Sequence, residues 1–266
     1  MSKVVFITGA SSGIGKAIAL YLHSKNYTVY GTSRNPDKVE VPYAMVALDV
    51  TRKDSIKRAI AEVASKEQRI DVLINNAGKG ITGPIEDTPT EEMKANFDTN
   101  LFGVIDVIKE VLPVMRKQQK GLIINTTSIA GYMGLPFRGV YSASKGALEL
   151  VTEALRMEVK SFGIEVTNVA PGDFATNMAA GRYHTPVFED SAYKEKYGEG
   201  LALINEHVDA GKDPIIMAKA IHKIIETKHP KIHYKVGAFM EKFSIVLKRI
   251  LPDKVYEKIL MNHFKL

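Results

Sequence analysis

Ser128, Tyr141 and Lys145 are the residues whose types and spacing first suggest chemistry. If Tyr141 starts a helix, its four-residue spacing to Lys145 puts phenol and ammonium on one face, a turn apart. A neighbouring ammonium favours phenolate over phenol. It draws the tyrosine pKa from its usual ~10 toward neutrality, where the group can serve as acid or base. Ser128 directly follows the strand 121–127, whose run Leu122-Ile123-Ile124 is apolar, as a parallel strand buried on both faces should be. Ligands of open α/β sheets bind beyond the carboxyl ends of strands, which is where Ser128 falls. A lone Y-x-x-x-K is also compatible with a half-exposed tyrosine beside a solvated lysine, so the surrounding elements must decide.

Those elements begin with a strand at residues 3–9 that runs into Thr8-Gly9-Ala10-Ser11-Ser12-Gly13-Ile14-Gly15. The glycines allow a tight turn and the close approach of a phosphate to backbone N–H groups. The following helix, to about residue 25, aims its positive N-terminal dipole at that phosphate. A second strand at 27–32 ends in Ser33-Arg34-Asn35, with no acid until Asp37. A dinucleotide-binding strand end carries an acid for a ribose 2′-hydroxyl or a basic residue for a 2′-phosphate, so Arg34 selects NADP(H) over NAD(H). A third strand at 45–50 carries Asp49 and Val50, and a helix follows at 51–68. A fourth strand at 70–74 enters Asn75-Asn76-Ala77-Gly78, a turn suited to lining a ligand. Thr90 can cap a long helix over 91–117, in whose middle Asn100 needs a partner for its amide. A helix from Tyr141-Ser142 to about 161 and a strand at 164–169, ending in Ala170-Pro171-Gly172 ahead of Thr176, complete a strict alternation. That alternation predicts a single α/β domain with a doubly wound parallel sheet and helices on both faces.

Residues 174–212 break the pattern, with Phe174, Met178, Tyr183, His184, Phe188, Tyr193 and Tyr197 among charges and glycines. A connection of this length inside a compact domain is usually functional, often a lid. Asp213-Pro214 then reads as the start of a helix over 215–227.

Composition narrows the classes. The chain has 266 residues and no cysteine, which removes disulfides, thiol nucleophiles and zinc–thiolate sites and fits a reducing, cytoplasmic setting. Lys3 leads straight into a strand, not into a secretory leader, and no apolar run approaches a membrane span. No metal site is expected. The net charge of +6 is concentrated at the end, where residues 231–266 hold eight Lys/Arg against three acids, a net of +5. No basic face interleaves with a nucleic-acid module, so nucleic acid is not an expected partner.

With these pieces placed, the chain resembles the classical short-chain dehydrogenase/reductase family from about Lys3 to Thr227. The motifs are T-G-x-x-x-G-x-G at Thr8–Gly15, Asp49-Val50, Asn75–Gly78, Asn100, Ser128, Tyr141-x-x-x-Lys145 and Pro171-Gly172 with Thr176. The resemblance implies a Rossmann sheet of about seven strands over residues 1–230, with 231–266 as a helical C-terminal extension of the same domain. It implies that Gly9, Ser11, Ser12, Gly13, Ile14 and Gly15 hold the pyrophosphate, that Ser33 and Arg34 meet the adenosine ribose, and that Asp49 and Val50 meet the adenine. Asn76, Ala77 and Gly78 would wall the ribose, while Pro171, Gly172 and Thr176 would flank the nicotinamide. Tyr141 would be the acid/base, Lys145 the holder of the nicotinamide ribose, Ser128 the polariser of the substrate carbonyl and Asn100 the anchor of a proton-relay water. A homo-oligomer, dimer or tetramer, is expected.

The substrate is less constrained. In Phe239-Met240-Phe243-Val246-Leu247-Ile250-Leu251, and again after Pro252, apolar residues recur at helical spacing with lysines between them. Two readings stand: a helix pair packed on the protein or a second subunit, or a basic amphipathic surface over 238–266 resting peripherally on an anionic membrane. With the aromatic lid, this tail resembles family members acting on steroids, retinoids and long-chain keto-lipids, so a bulky hydrophobic carbonyl is expected. A sugar or polyol dehydrogenase and a membrane-peripheral dinucleotide sensor are the alternatives.

Overall fold

The computed structural model describes residues 2–175, 181–209 and 211–266, with the backbone alone at residues 203 and 205–209. Its strands are β1 (Val4–Ile7), β2 (Thr28–Ser33), β3 (Ala44–Ala47), β4 (Val72–Asn75), β5 (Ile81–Thr82), β6 (Gly121–Thr126), β7 (Ile164–Pro171), β8 (Tyr183–His184) and β9 (His233–Val236). Seven of them form one parallel sheet in the order β3-β2-β1-β4-β6-β7-β9. The order reverses between β1 and β4, so a crevice opens at their carboxyl ends, where α/β sheets bind ligands. This is the doubly wound Rossmann-type sheet that the alternation predicts.

Side-chain alternation sorts the core into two layers. Val4 and Phe6 face α2 (Lys53–Glu67), α4 (Gly103–Gln118) and α5 (Gly139–Glu158), packing with Ile60, Val107 and Leu148. Val5 and Ile7 face α1 (Gly13–Ser24) and the helix Ile215–Ile225, packing with Ile18, Met217 and Ile221. Asp213 caps the latter helix, its carboxylate accepting from Ile215 N at 2.8 Å.

Three features depart from the sequence reading. The seventh strand, β9, lies at the start of the segment read as a helical extension; only after it come the helices Phe239–Ile250 and Asp253–His263. The helix expected over 91–117 is two helices, α3 (Thr90–Phe97) and α4, joined by a π-helical turn Asp98–Phe102. Thr90 is the first helical residue and makes no cap; Pro89 precedes it. In addition, β5 and β8 pair as a small parallel sheet that fastens the start of the 174–212 connection to the loop after β4.

Candidate active site

The crevice between the carboxyl ends of β1, β2 and β4 is a cleft of about 540 Å³. Its lining brings together Gly9, Ser11, Ser12, Gly13, Ile14, Gly15, Ser33, Arg34, Asp49, Val50, Asn76, Ala77 and Gly78, as the motifs require. Two glycines are sterically obligatory. Gly9 has φ +68°, and a Cβ on Gly15 would lie 2.2 Å from the Gly9 carbonyl oxygen. The turn is braced from below: Thr8 Oγ1 accepts from Asn76 N and Ala77 N at 3.0 Å, and Asn76 Nδ2 donates to the Gly9 carbonyl at 2.9 Å. Asn76 therefore holds two turns together as well as lining the cleft.

Asp49 and Arg34 face each other across the adenosine end. Burial alone would raise the Asp49 carboxyl. Hydrogen bonds from Thr51 N and Oγ1, with the guanidinium groups of Arg34 and Arg52, outweigh it and hold the group below its ordinary value. Arg34 is exposed on the cleft lining just past β2, and Asp37 lies beyond it in a short 3-10 turn, Pro36–Lys38. A glycine cradle, a cleft of this size and a cation at the β2 end fit a dinucleotide carrying a 2′-phosphate.

Outside the lining itself, Tyr141 and Lys145 lie in the first two turns of α5, both buried. The Lys145 ammonium donates to the Thr126 carbonyl at 2.9 Å. Burial pushes its pKa down to about 8, while Glu149, one turn on, pulls it up. Tyr141 packs against Ile81 and Ala130, the latter two residues past Ser128. Ser128 ends the loop after β6 and caps the 3-10 turn Ile129–Tyr132, its hydroxyl accepting from Ala130 N at 3.2 Å. That turn presses on α5, since a Cβ on Gly131 would sit 3.2 Å from Lys145 Cβ.

Asn100 explains the π turn. Its side chain accepts from Lys79 N at 2.9 Å and donates to the Lys79 carbonyl at 2.9 Å, with Asn96 and Ser144 also in reach. A regular helix cannot aim the amide this way, and such single-turn insertions are frequent at functional sites. A Cβ on Gly78 would meet Asn100 Oδ1 at 3.2 Å and Lys145 Nζ at 3.5 Å. Asn100, Gly78 and Lys145 thus meet at the end of β4.

Pro171 closes β7, and Gly172 N donates to the Val236 carbonyl at 2.8 Å. Glu241, from the first tail helix, accepts from Asp173 N at 2.8 Å and from Ala238 N at 2.5 Å, and sits so close to Gly172 that any Cβ there would displace it. Thr176 and Met178 lie outside the described residues. Several residues of this region carried no motif: Lys79, Asn96, Ser144, Arg138, Arg182 and Glu241. Thr8 stood in the glycine-turn motif, but its part in bracing the turn was not read there.

The 174–212 connection uses some of its aromatic residues for packing. Phe174 belongs to the α1-side core, and Tyr197 is buried, its ring tilted against Phe137 and its hydroxyl donating to the Thr185 carbonyl at 2.9 Å. The tail helices bury Ile245 and Tyr256 against Ile129, Met133 and Ala170, roofing the loop that carries Ser128. Their opposite face leaves Phe239, Met240, Val246 and Ile250 exposed, with Phe239 and Phe243 stacked at 5.7 Å. Among the described residues, no helix is long and apolar enough to cross a membrane.

Comparison with known proteins places this geometry. A family model described as short chain dehydrogenase matches residues 3–186. A 3-ketodihydrosphingosine reductase of Bacteroides thetaiotaomicron is 40% identical, over 96% of this chain and 95% of that protein. A short-chain dehydrogenase of Streptomyces avermitilis superposes with a TM-score of 0.84 at 31% identity, covering 99% of this chain and 97% of that one. ElxO, solved with NADP bound, superposes with a TM-score of 0.71 at 27% identity, covering 89% of this chain and 97% of that one.

Proposed function

The chain belongs to the short chain dehydrogenase family of dinucleotide-dependent oxidoreductases, and from that premise we propose that it uses NADPH to reduce a bulky hydrophobic ketone, such as a ketosteroid or a 3-keto sphingoid base. The observation that carries the reading is the meeting of Asn100 and Lys145 at Gly78, a lining residue of the cleft that also presents Arg34, with Tyr141 one turn before Lys145 and packed against Ala130 of the turn that Ser128 caps. Gly9, Gly13 and Gly15 with their backbone N–H groups would hold the pyrophosphate, Arg34 the 2′-phosphate, and Lys145 the ribose nearest the reaction. A reduced nicotinamide, when bound, supplies hydride to the carbonyl carbon.

The remaining chemistry is the protein's. Negative charge develops on the carbonyl oxygen as the carbonyl π bond breaks. Ser128 Oγ and Tyr141 OH donate hydrogen bonds to it, and Tyr141 delivers the proton that completes the alcohol. The Lys145 ammonium stabilises the phenolate left behind. Proton return runs toward Lys145 and Asn100, whose amide is anchored on the Lys79 backbone and can hold a relay water. The hydrophobic substrate class is supported by the tail helices that roof the Ser128 loop and by the relative that reduces a long-chain keto-lipid. The exposed Phe239, Met240, Val246 and Ile250, beside Lys242 and Arg249, support peripheral contact with an anionic membrane.

The test is NADPH oxidation against ketones graded by size and polarity. Long-chain or polycyclic ketones should give the highest kcat/KM. A profile in which sugars and small polar ketones beat every lipid would overturn the substrate class. Co-sedimentation with phosphatidylserine vesicles, with and without residues 238–266, reads the membrane contact separately.

A further inference from the structure

Arg182 is 91% buried, and its Nη1 makes no hydrogen bond among the described residues. An arginine stays charged at any ordinary pH, so a buried guanidinium with an unused N–H is costly unless something completes it. Its side chain is seated firmly: a Cβ on Gly80 would meet Arg182 Cγ at 2.8 Å and Nε at 3.1 Å. Gly80 and Gly181 both line the inner end of the cleft.

A second guanidinium stands beside it. Arg138 Cζ lies 5.3 Å from the centre of the Tyr141 ring. Burial lowers the Arg182 pKa and Arg138 lowers it further, while Tyr141 and Asp173 pull it back up. Asp173 is the acid that bears on Arg182, yet neither arginine forms an ion pair with a carboxylate among the described residues. Two guanidinium groups bear on a proton-donating tyrosine, and among the described residues no carboxylate is in ion-pair contact with either, so the arrangement can take a further anion.

The geometry points to Arg182 and Arg138 as a subsite for an acidic group carried by the substrate itself: a carboxylate, phosphate or sulfonate on the ketone whose carbonyl meets Tyr141. The inference rests on the ketone-reductase reading and narrows it. The planar guanidinium fork matches such oxyanions with paired hydrogen bonds. Among the ketones that reading admits, the site would disfavour one bearing an ammonium near its carbonyl, so the 3-keto sphingoid base named above would be a poorer substrate than a keto acid. It would favour a hydrophobic chain ending in an acid.

The test compares 4-oxodecanoate with its methyl ester as substrates of the NADPH-loaded enzyme. The wild type should prefer the acid in kcat/KM by about tenfold or more. The ratio should collapse toward one in Arg182→Gln and fall in Arg138→Gln, while Arg182→Lys keeps part of it. The change should appear in KM for the acid more than in kcat. A wild-type ratio of one or less, or a ratio untouched by both Gln variants, overturns the subsite. So does an Arg182→Gln that weakens NADP binding and leaves the ratio intact, because the arginine would then serve the cofactor pyrophosphate. If neither ketone is reduced, the ketone-reductase reading fails, and calorimetry of decyl sulfonate against decanol on the NADP-loaded enzyme decides the subsite. Tighter binding of the sulfonate that is lost in Arg182→Gln supports it; equal binding of the two overturns it.

Discussion

The two ends of the cleft are built differently. The cofactor end is four short strand-to-helix or strand-to-loop turns, after β1, β2, β3 and β4, each with its functional residues within a few positions of one another. The substrate end is assembled from three segments that together span more than a hundred residues: the 128–138 loop, the start of the 174–212 connection and the tail helix that places Glu241 against Gly172. Where a site is a backbone conformation, local residue types dictate it. Where a site is a meeting of side chains on long connections, packing of the whole chain dictates it.

Four measurements would break or sharpen that contrast. The largest effect is expected for Tyr141→Phe. Turnover should fall by about a hundred- to ten-thousandfold while NADPH still binds, as seen by titration of nicotinamide fluorescence. An active variant would remove Tyr141 from the chemistry. Next is Arg34→Gln, which should raise KM for NADPH by about ten- to a hundredfold and leave KM for NADH unmoved. Equal losses with both cofactors would show that Arg34 does not read the 2′-phosphate.

Lys145→Met tests whether the inner end stores instability for function. The buried ammonium has its pKa depressed to about 8 from the ordinary value of about 10.4. Between these values the unfolded chain binds the proton more readily than the folded one, so wild-type stability rises with pH across that window and is lowest below it. The variant should therefore melt at higher temperature than the wild type at pH 7, and the gap should close by pH 10 while activity stays lost. A lower melting temperature at pH 7 would contradict the burial cost. The smallest effect is expected for Glu149→Gln. Reduction that needs a charged Lys145 should decline as pH rises through about 8. Removing the carboxylate that supports the ammonium should bring that decline to lower pH, read from kcat/KM between pH 6 and 10. An unmoved profile would separate Glu149 from Lys145.

Much of the fold was legible because strands buried on both faces must be apolar throughout, and 4–7, 72–74 and 122–124 are. β9 was not, since His233-Tyr234-Lys235-Val236 is an edge strand with all four residues half-buried and little apolar run to betray it. The break between α3 and α4 was hidden for another reason. The periodicity of 91–117 hardly changes when one residue is inserted into a turn, and only the Asn100 amide, bonded to Lys79, shows why the helix opens. Asn76 was legible as cleft lining but not as the brace between two turns, because its partners Thr8 and Gly9 lie 68 and 67 residues away.

By itself the sequence determined the parallel sheet short of its seventh strand, the glycine turn, the Arg34 end of β2 and, through the order of its motifs, the family. The first three follow from backbone requirements that adjacent residues satisfy alone, and the family from several such stretches taken together. Only the tertiary structure decided that the Asn100 amide turns toward Lys79 and Gly78, that Glu241 braces the Gly172 loop, and that Arg138 and Arg182 bear on Tyr141 with no carboxylate in ion-pair contact among the described residues. Those placements depend on how α5, the 174–212 connection and the tail pack over one sheet. Contacts between distant segments leave no periodic trace in the chain that makes them.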